Sequence, residues 1–420
     1  MPVSLSLLSL VCLWIIILNV AGTHQDPHYG DTELFEAPSD VYVLGPTVFP
    51  KPTDLIEPRG AVPIVEPAFG SHRPDVDAVF AYFEGYTIPY FLHFVESLRK
   101  TGFDGDLVLA IAAKPILNEG IWDYLTQQSH VVIYHSDLDC LDQDMKSAAS
   151  RRILQGTLDT FQMCQLNHVY GWKSEDGHTA APDPREGRVV ATLRYEWYWI
   201  WLQRYQNNAW IMLLDARDSF FQSNPFAQLH RQSDPQLRQG RLYFFGENSN
   251  ATRLGRSPKN TNWLKNAYGD HVLETLRQKP TICSGSTMGE VVALEQYLRA
   301  LINEKDETII KMAGSDQGFH NYLYYSRKLL NVKAIASLTV WDQGRGAINN
   351  LGALRNWPLT EWGNYNLTTR VVANWDGSAS SVVHQWDRDH DLHQHLHRLK
   401  FRQLSNKWRN KNKNANKTAT

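Results

Sequence analysis

The chain has 420 residues, a formal net charge of -2, and 43% hydrophobic and 11% aromatic residues. This length fits one large domain or two small ones, and either can bury a full core. A charge so close to zero gives no overall attraction to polyanions, so we expect no nucleic-acid partner.

The first residues form a candidate targeting segment. Residues 5–22 are apolar apart from two serines and one asparagine. This length suits a cleaved signal peptide or a signal anchor. No Lys or Arg precedes the segment, so the charge rule does not orient it, and the small residues at 20–22 offer a cleavage site. We predict that residues 1–22 direct the chain to the ER or Golgi lumen, as a type II membrane protein or, after cleavage, a secreted one.

Two further features favour the secretory pathway. N-glycosylation sequons begin at Asn250, Asn366 and Asn416. Beyond the leader, the cysteines are Cys140, Cys164 and Cys283. A disulfide between Cys140 and Cys164 would leave Cys283 unpaired, but the sequence leaves the pairing open.

Residues 23–75 are rich in Pro, Gly and acidic residues, which predicts a stem or linker. The globular part then begins with alternating strands and helices. We predict strands at 76–83, 106–113 and 131–134, and a helix at 88–98 that follows a turn at Gly85. This alternation is typical of βαβ units on a parallel sheet.

The central motif follows a predicted helix, 189–205, which carries Arg194 at the margin of its apolar face. The apolar run 210–214 predicts a strand buried on both faces, and it leads into Asp215-Ala-Arg-Asp218. Ligands of open α/β sheets bind beyond the carboxyl ends of such strands. Mg²⁺ and Mn²⁺ prefer oxygen ligands, so Asp215 and Asp218 are candidate metal ligands. The alternative is an acidic turn with Arg217 in a salt bridge.

The remaining predicted elements alternate in the same way. They are a strand at 241–245, a helix around 263–268, a glycine-broken strand at 281–289, a helix at 291–302, a helix from 314 with Ser315 or Asp316 as N-cap, a turn-rich segment at 347–352 and a strand at 381–386. Residues 393–420 contain no acidic residue. They predict a solvated basic helix that fades into a disordered tail, with contact to an anionic partner as the alternative.

The order of these motifs is similar to that of a known family. A βαβ start, the Asp215–Asp218 motif, the turn at Ser284 and Gly285, the pair Asp316 and Gln317 on a helix start, and a late strand with His384 follow one another. This order resembles the GT-A glycosyltransferases, in particular the retaining, glycogenin-like group. The resemblance implies an α/β fold with a mixed, mostly parallel sheet flanked by helices. It also implies a single catalytic domain at 76–392.

The resemblance implies a role for each motif. Mn²⁺ or Mg²⁺ would be held by Asp215, Asp218 and His384. Asp316 would bind donor hydroxyls or stabilise a cationic transition state, and Gln317 would lie near the anomeric carbon. The donor-binding residues would be Tyr82, Gly85, Arg194, Asp215, Arg217, Ser284 and Gly285.

The chain departs from the family pattern at two positions. Arg217 stands where the second Asp of the family's Asp-x-Asp motif would fall, and Cys283 stands where the family has Asn before Ser-Gly. Either Asp218 takes over as ligand, or Arg217 replaces part of the metal's charge, since guanidinium pairs well with phosphate oxygens.

The leading hypothesis is a hexosyltransferase. It would move a sugar from a nucleotide-diphosphate donor to a glycan or protein-linked acceptor, with retention of configuration. One alternative is a metal-dependent hydrolase or phosphodiesterase that uses Asp215, Asp218 and His384. A second alternative is a non-catalytic carbohydrate-binding protein on the same fold, with Arg217 marking a degraded metal site.

Overall fold

The structure, a computed structural model, describes residues 61–112, 120–136, 140–141, 163–166, 169–173, 180–182, 185, 187–227, 229, 240–308 and 315–418. The predicted leader, 1–22, and most of the predicted stem, 23–75, lie outside these ranges. Within them, no helix combines the length and apolar character needed to cross a membrane.

Eighteen strands occur among the described residues. In chain order they are β1 (Ala61–Pro63), β2 (Ala78–Tyr82), β3 (Asp106–Ala112), β4 (Val131–Ser136), β5 (Cys140–Leu141), β6 (Met163–Cys164), β7 (Tyr170–Lys173), β8 (Ala180–Pro182), β9 (Arg188–Val189), β10 (Trp210–Leu214), β11 (Ser219–Phe221), β12 (Arg241–Gly246), β13 (Ile282–Glu290), β14 (Ser337–Trp341), β15 (Ile348–Asn350), β16 (Tyr365–Asn366), β17 (Val371–Val372) and β18 (Val382–His384).

The helices of the described residues are α1 (Ile88–Lys100), α2 (Ile121–Leu125), α3 (Val190–Leu202), α4 (Pro258–Leu276), α5 (Val291–Thr308), α6 (Ser315–Tyr325), α7 (Leu359–Trp362), α8 (His390–His393) and α9 (Arg402–Thr418). Short 3-10 turns span Lys328–Asn331, Gly352–Leu354 and Trp386–Arg388, and a π-helical segment spans Gln394–Phe401.

The central sheet has seven strands in the order β14-β12-β13-β10-β2-β3-β4. Strand β13 runs antiparallel to β10 and β12, and the other neighbours pair in parallel. The predicted α/β class, with a mixed, mostly parallel sheet flanked by helices, is confirmed. The chain runs outward from β2 to β3 and β4, then returns to place β10 on the other side of β2. This reversal makes the carboxyl edge between β2 and β10 the expected ligand site.

Helix α3 differs from its predicted amphipathic pattern. Every residue from Tyr195 to Leu202 is buried, because the helix lies between the sheet and α5. The ring of Trp201 lies 5.5 Å from Phe80 of β2 and 5.3 Å from Tyr134 of β4. Apart from Glu196, this stretch is apolar or aromatic on all sides, which is the pattern of a core helix. Arg194 therefore projects from a rigid element.

Strand β13 contains the predicted glycine break. Its register with β12 shifts, so that Phe244 pairs with Thr287 while Phe245 pairs with Cys283. The intervening residues Ser284, Gly285 and Ser286 form an irregularity in the ladder. Bulges of this kind re-aim side chains next to functional sites. The strand is otherwise continuous, and it is buried along its whole length.

A second sheet has the order β11-β18-β15 and sets His384 beside the Asp215 turn. Ser219 pairs with His384 across β11 and β18, and Asn350 of β15 pairs with His384 on the other side. The predicted turn-rich segment at 347–352 was wrong at Ile348–Asn350, which form strand β15. The side chains of Asn349 and Asn350 are fully buried and hydrogen-bonded, which permits a strand with two consecutive amides.

The C-terminal segment also differs from its prediction. Phe401 is 4% exposed, and its ring lies 5.2 Å from Tyr90. The ring of Trp408 in α9 lies 5.3 Å from Tyr124. The predicted helix is present and most of its described residues are exposed, but the face that carries Trp408 packs on the domain.

The cysteines agree with one of the alternatives left open by the sequence. Strands β5 and β6 place Cys140 directly opposite Cys164. Cys164 is disulfide-bonded, and Cys283 is free and buried.

Candidate active site

The first carboxylate of the site follows β10 directly. The backbone N–H of Asp215 donates to the carbonyl of Gly285 at 2.9 Å, and Ser219 Oγ donates to the Asp215 carbonyl at 2.6 Å. These bonds fix the turn at both ends. The side chain of Asp215 is therefore held at the carboxyl edge of β10, where a third of it is exposed.

The side chain of His384 lies beside both predicted carboxylates. Its Nε2 lies 3.5 Å from Asp218 Oδ1 and 3.8 Å from Asp215 Oδ2. The three candidate ligand atoms lie within 4.8 Å of one another. His384 is 1% exposed and Asp218 is 6% exposed, so two of the three ligands are shielded from solvent.

The hydrogen bonds of Asn350 set the tautomer of His384. Asn350 Nδ2 donates to the carbonyl of Phe245 at 2.9 Å, which leaves Oδ1 as the acceptor that faces the imidazole. His384 Nδ1 donates to this oxygen at 2.8 Å. The lone pair therefore resides on Nε2, which is buried and has no hydrogen-bond partner among the described residues. A metal-ligating imidazole is typically oriented in this way.

Gly285 leaves the space that this cluster needs. A Cβ at this position would lie 2.5 Å from Asp215 Oδ2 and 2.7 Å from His384 Cε1. Its backbone angles are not those that demand glycine, so the constraint is the close approach of the ligands. Two carboxylates and one neutral imidazole form a donor set that fits Mn²⁺ or Mg²⁺, and the residues present therefore fit the predicted metal.

Arg194 connects the candidate metal ligands to Asp316. Its Nη1 pairs with Asp215 Oδ1, and its Nη2 donates to Asp316 Oδ2 at 2.8 Å. Burial disfavours the charge on Arg194, but Tyr195 and Asp316 outweigh it and raise the pKa of the guanidinium well above its ordinary value. The group therefore stays cationic between two carboxylates.

Asp316 is not the N-cap of its helix. It lies inside α6, and its Oδ2 accepts hydrogen bonds from Ser284 Oγ at 2.9 Å and from the Tyr195 hydroxyl at 3.3 Å. The N-cap alternative for Asp316 was wrong, since these donors come from β13 and α3. The structure thus joins Asp215, Asp218, Arg194, Ser284, Gly285, Asp316 and His384 into one contact network.

Arg217 forms a salt bridge, as expected from the alternative interpretation of this motif as an acidic turn. Its Nη2 donates to Asp387 Oδ2 at 2.9 Å and lies 3.5 Å from Asp218 Oδ2. Arg388 Nη2 lies 3.5 Å from the same Asp218 oxygen. Two guanidinium groups therefore face Asp218 Oδ2 and favour its ionised form. Asp218 is thus an anion with Oδ2 toward the arginines and Oδ1 toward His384.

Tyr82 and Gly85 share the same edge of the sheet at the end of β2. The Tyr82 hydroxyl donates to Glu84 Oε2 at 2.7 Å, and it also contacts Ser136 of β4. Gly85 is exposed with a φ of +82°, and a Cβ there would meet no atom within 4 Å. Tyr82 is buried and Gly85 faces open space, and no direct contact joins either of them to the candidate metal ligands among the described residues.

The sequence interpretation missed Glu247, Asn260 and Asn350. Glu247 follows β12, which runs parallel to β10, so it reaches the same edge. The rule that identified Asp215, a polar residue directly after a buried strand, also applies to Glu247. Asn260 accepts a hydrogen bond from Gln317 Nε2 at 2.8 Å. No sequence pattern points to Asn260 or Asn350.

No protein-family model and no curated protein matches the chain. Solved structures do match it. A galactosyltransferase, LgtC, in complex with donor and acceptor sugar analogues is 9% identical with a TM-score of 0.42, over 79% of this chain and 95% of that one. The bifunctional glycosyltransferase WbbM in its apo form is 10% identical with a TM-score of 0.41, over 78% of this chain. The match covers 51% of WbbM, about half of its length. Similarity at this level assigns no function, so a function has to be argued from the side chains of this chain.

Proposed function

We propose that the chain is a divalent-metal-dependent glycosyltransferase that moves a hexose from a nucleotide-diphosphate sugar to a glycan or protein-linked acceptor. One observation carries this proposal. The buried, unpartnered Nε2 of His384 faces Asp215 and Asp218 at the edge where the strand order reverses. An oriented imidazole lone pair beside two carboxylates is the arrangement of a cation site, and this edge is where a nucleotide would bind.

Each part of the network has a role in this proposal. Asp215, Asp218 and His384 would hold Mn²⁺ or Mg²⁺, which when bound supplies the positive charge that a departing diphosphate needs. Arg194 would contact the donor phosphates or sugar, because its charge lies between Asp215 and Asp316. Asp316 would bind donor hydroxyls. Retention of configuration, and the placement of Gln317 near the anomeric carbon, rest on the motif order alone.

Metal-dependent donor binding tests the proposal. Calorimetric titrations of UDP- and GDP-sugars, each with and without Mn²⁺, should give one donor whose affinity depends on the metal. Asp215→Asn should abolish this dependence without loss of fold, while Asp270→Asn, an exposed residue outside the site, should leave it intact. Unchanged donor affinity in Asp215→Asn would contradict the assignment of this residue.

The role of Asp316 needs a separate measurement. Asp316→Asn keeps the shape of the side chain but removes its charge. We expect turnover to fall far more than nucleotide affinity, because the carboxylate would act on the sugar and not on the base. Equal losses of turnover and affinity would indicate that Asp316 only supports Arg194.

A second candidate is the non-catalytic carbohydrate-binding protein. One observation favours it: the candidate ligands already have arginine partners, Arg194 on Asp215 and Arg217 on Asp218. A site whose charges are balanced without metal would bind a sugar but not transfer it. Hydrolysis of nucleotide sugars separates the two candidates. Metal-dependent turnover would support the glycosyltransferase, and sugar binding without turnover would support the carbohydrate-binding protein.

We also propose a lumenal location in the secretory pathway, with attachment to the membrane through residues 1–22 if these are not cleaved. The disulfide at Cys164 supports an oxidising compartment. The sequon asparagines Asn250 and Asn366 are exposed, as acceptors of glycans must be. N-glycosidase treatment of the full chain expressed in eukaryotic cells should lower its apparent mass, and no change would count against this location.

A further inference from the structure

The basic C-terminal segment forms one wall of a cavity of about 580 Å³. This wall consists of the end of α8, the π-helical segment and the first turns of α9, and the opposite wall is the start of α1. The volume is within the range of pockets that hold small ligands. None of Asp215, Asp218 and His384 lines this cavity, so it is a second concave site that the candidate metal ligands do not account for.

The charge of the cavity is positive. Arg402 and Arg409 line it, and because they are seven residues apart they lie on the same face of α9. Both are exposed, and neither forms an ion pair with a described residue. No Asp or Glu occurs among the described residues that line the cavity. Two guanidinium groups without a carboxylate partner favour an anionic ligand, since they bind carboxylate, sulfate and phosphate groups through charged hydrogen bonds.

The other groups that line the cavity suit a sugar. The ring of Tyr90 lies 5.2 Å from Phe401, nearly perpendicular to it, and 5.8 Å from Tyr86. These contacts hold the Tyr90 ring in place, while part of it stays exposed. Ser405 and Asn406 line the same cavity with a hydroxyl and an amide. An aromatic face beside neutral hydrogen-bonding groups fits a sugar ring, which has apolar C–H faces and a rim of hydroxyls.

The cavity shares a wall with the candidate active site. Trp386 comes two residues after His384 and is 1% exposed. Its ring lies 5.8 Å from the rings of His393 and Phe401, both of which line the cavity. On the opposite wall, Thr87 directly precedes α1, shortly after the carboxyl end of β2. A ligand in the cavity therefore lies beside the edge at which the proposed donor would bind.

We propose that this cavity binds the acidic group of the acceptor, and that the acceptor is a glycan that carries a carboxylate, sulfate or phosphate. This inference rests on the proposed function, because it names the acceptor class of that reaction. Arg402 and Arg409 would pair with the acidic group, and Tyr90 would stack on the sugar that bears it. The rest of the glycan would extend past Thr87 toward the carboxyl edge of the sheet. An anionic membrane also attracts a basic helix, but it would contact the outer surface of α9 and would need no cavity.

Titration of acidic sugars into the full chain, without donor or Mn²⁺, tests the proposal. The probes are glucuronic acid, N-acetylglucosamine 6-sulfate and mannose 6-phosphate, each paired with its neutral counterpart, glucose, N-acetylglucosamine or mannose. Calorimetry should show at least one acidic sugar that binds about tenfold or more tightly than its neutral counterpart. Equal affinities within every pair, or no binding of any acidic sugar, would overturn the proposal.

Variants of α9 locate the bound sugar. Arg402→Gln combined with Arg409→Gln should lower the affinity for the acidic sugar by about tenfold or more. Lys407→Gln removes a charge from an exposed position of the same helix that does not line the cavity, and it should change this affinity by less than about twofold. Ser405→Trp fills the cavity without a change of charge and should abolish binding. Retained binding in Ser405→Trp would place the sugar on the outer surface of the helix and contradict the cavity assignment.

Lipid vesicles separate a glycan site from a membrane site. Vesicles of phosphatidylcholine with added phosphatidylserine are mixed with the unmodified chain and with the double arginine variant. Vesicle binding that the double variant loses, without binding of any acidic sugar, would assign the arginines to a membrane and overturn the proposal. The sugar titrations contain neither donor nor metal, so their failure contradicts this inference alone. A lack of metal-dependent donor binding would instead contradict the proposed function.

Discussion

Two buried groups of charges in this molecule are arranged in opposite ways. Behind the sheet, Glu196 is fully buried, and its Oε1 accepts from Arg188 Nε at 2.6 Å while its Oε2 accepts from the Tyr170 hydroxyl at 2.9 Å. Burial raises the pKa of Glu196, but Arg185 and Arg188 outweigh it and the pKa falls below its ordinary value. Each oxygen of this carboxylate has a donor.

At the carboxyl edge of the sheet the balance is incomplete. His384 Nε2 has no hydrogen-bond partner in the described part of the chain, and burial raises the pKa of Glu247 to about 7. A buried polar group without its partner destabilises a fold. The Glu196 group thus has the partners of a pair that stabilises the fold, whereas in the proposed function the edge awaits a ligand that the chain itself does not supply.

The largest expected effect breaks the stabilising group. Arg188→Leu should leave Glu196 buried without its main partner and destabilise the fold by about 3–5 kcal/mol. The melting temperature should fall by ~10 °C, with Mn²⁺ affinity of the folded protein unchanged. Arg277→Leu, which removes an exposed pair with Glu274, should change the melting temperature by little. A similar, small effect of both changes would show that the Arg188 pair does not stabilise the fold.

The next effect acts on the edge alone. Gly285→Ala places a Cβ among the candidate ligands and should weaken Mn²⁺ binding by about a hundredfold, as judged from ligand-shell changes in other metal sites. Gly289→Ala lies on the same strand and is also tight, with a Cβ 3.0 Å from the Arg241 carbonyl. It should lower stability but leave Mn²⁺ affinity intact, as calorimetry would show. Equal Mn²⁺ affinity in both variants would mean that the space at Gly285 does not serve a metal.

A smaller loss of Mn²⁺ affinity is expected when the residue that orients His384 is replaced. Asn350→Ala removes the acceptor for Nδ1, and we expect Mn²⁺ affinity to drop about 10- to 100-fold. The neighbouring Asn349 is equally buried, but its side chain bonds Gln343 and Ser380. Asn349→Ala therefore serves as the control for lost stability, and an identical Mn²⁺ affinity loss in it would dismiss the tautomer argument.

The smallest effect concerns stability against pH. The folded-state pKa of Glu247, about 7, lies above its ordinary value of 4.5, so the folded chain binds this proton more tightly than the unfolded chain. Stability should fall as the pH rises from about 4.5 to 7 and then level off. The Glu247→Gln variant has no such group to titrate. The difference between its free energy of unfolding and that of the unmodified chain should therefore shift in favour of the variant by on the order of 2 kcal/mol from pH 5 to pH 8. Denaturant unfolding at the two pH values measures the difference, and a constant difference would contradict the raised pKa.

The sequence predicted the strands and helices that have strong periodicity. The strand before Asp215 and the helix at 88–98 were identified because apolar runs and helical spacing are local signals. The pairing of the Asp215 strand with an antiparallel neighbour, β13, was not predictable, because strand order depends on distant contacts. The basic segment forms the predicted, mostly exposed helix, but the packing of its Trp408 face on Tyr124 was missed because the many charges concealed that face.

In the candidate site, too, residues with a local sequence signal were predicted, and residues that depend on distant contacts were not. Asp215, Asp218 and His384 were predicted by motif order, and the structure places their ligand atoms within 4.8 Å. Asn350 could not be predicted, because its role arises only when β15 pairs with β18. The partners of Arg194 were likewise hidden, since Asp316 lies far along the chain and reaches the guanidinium only through the packing of α6 against α3.

The most direct test of the central claim is an anomalous diffraction map at the manganese edge, from crystals soaked with Mn²⁺ and a nucleoside diphosphate. The account predicts one peak bonded to Asp215, Asp218 and His384 Nε2, with the diphosphate on the same ion. A diphosphate bound by arginines with no manganese between these three side chains would contradict it.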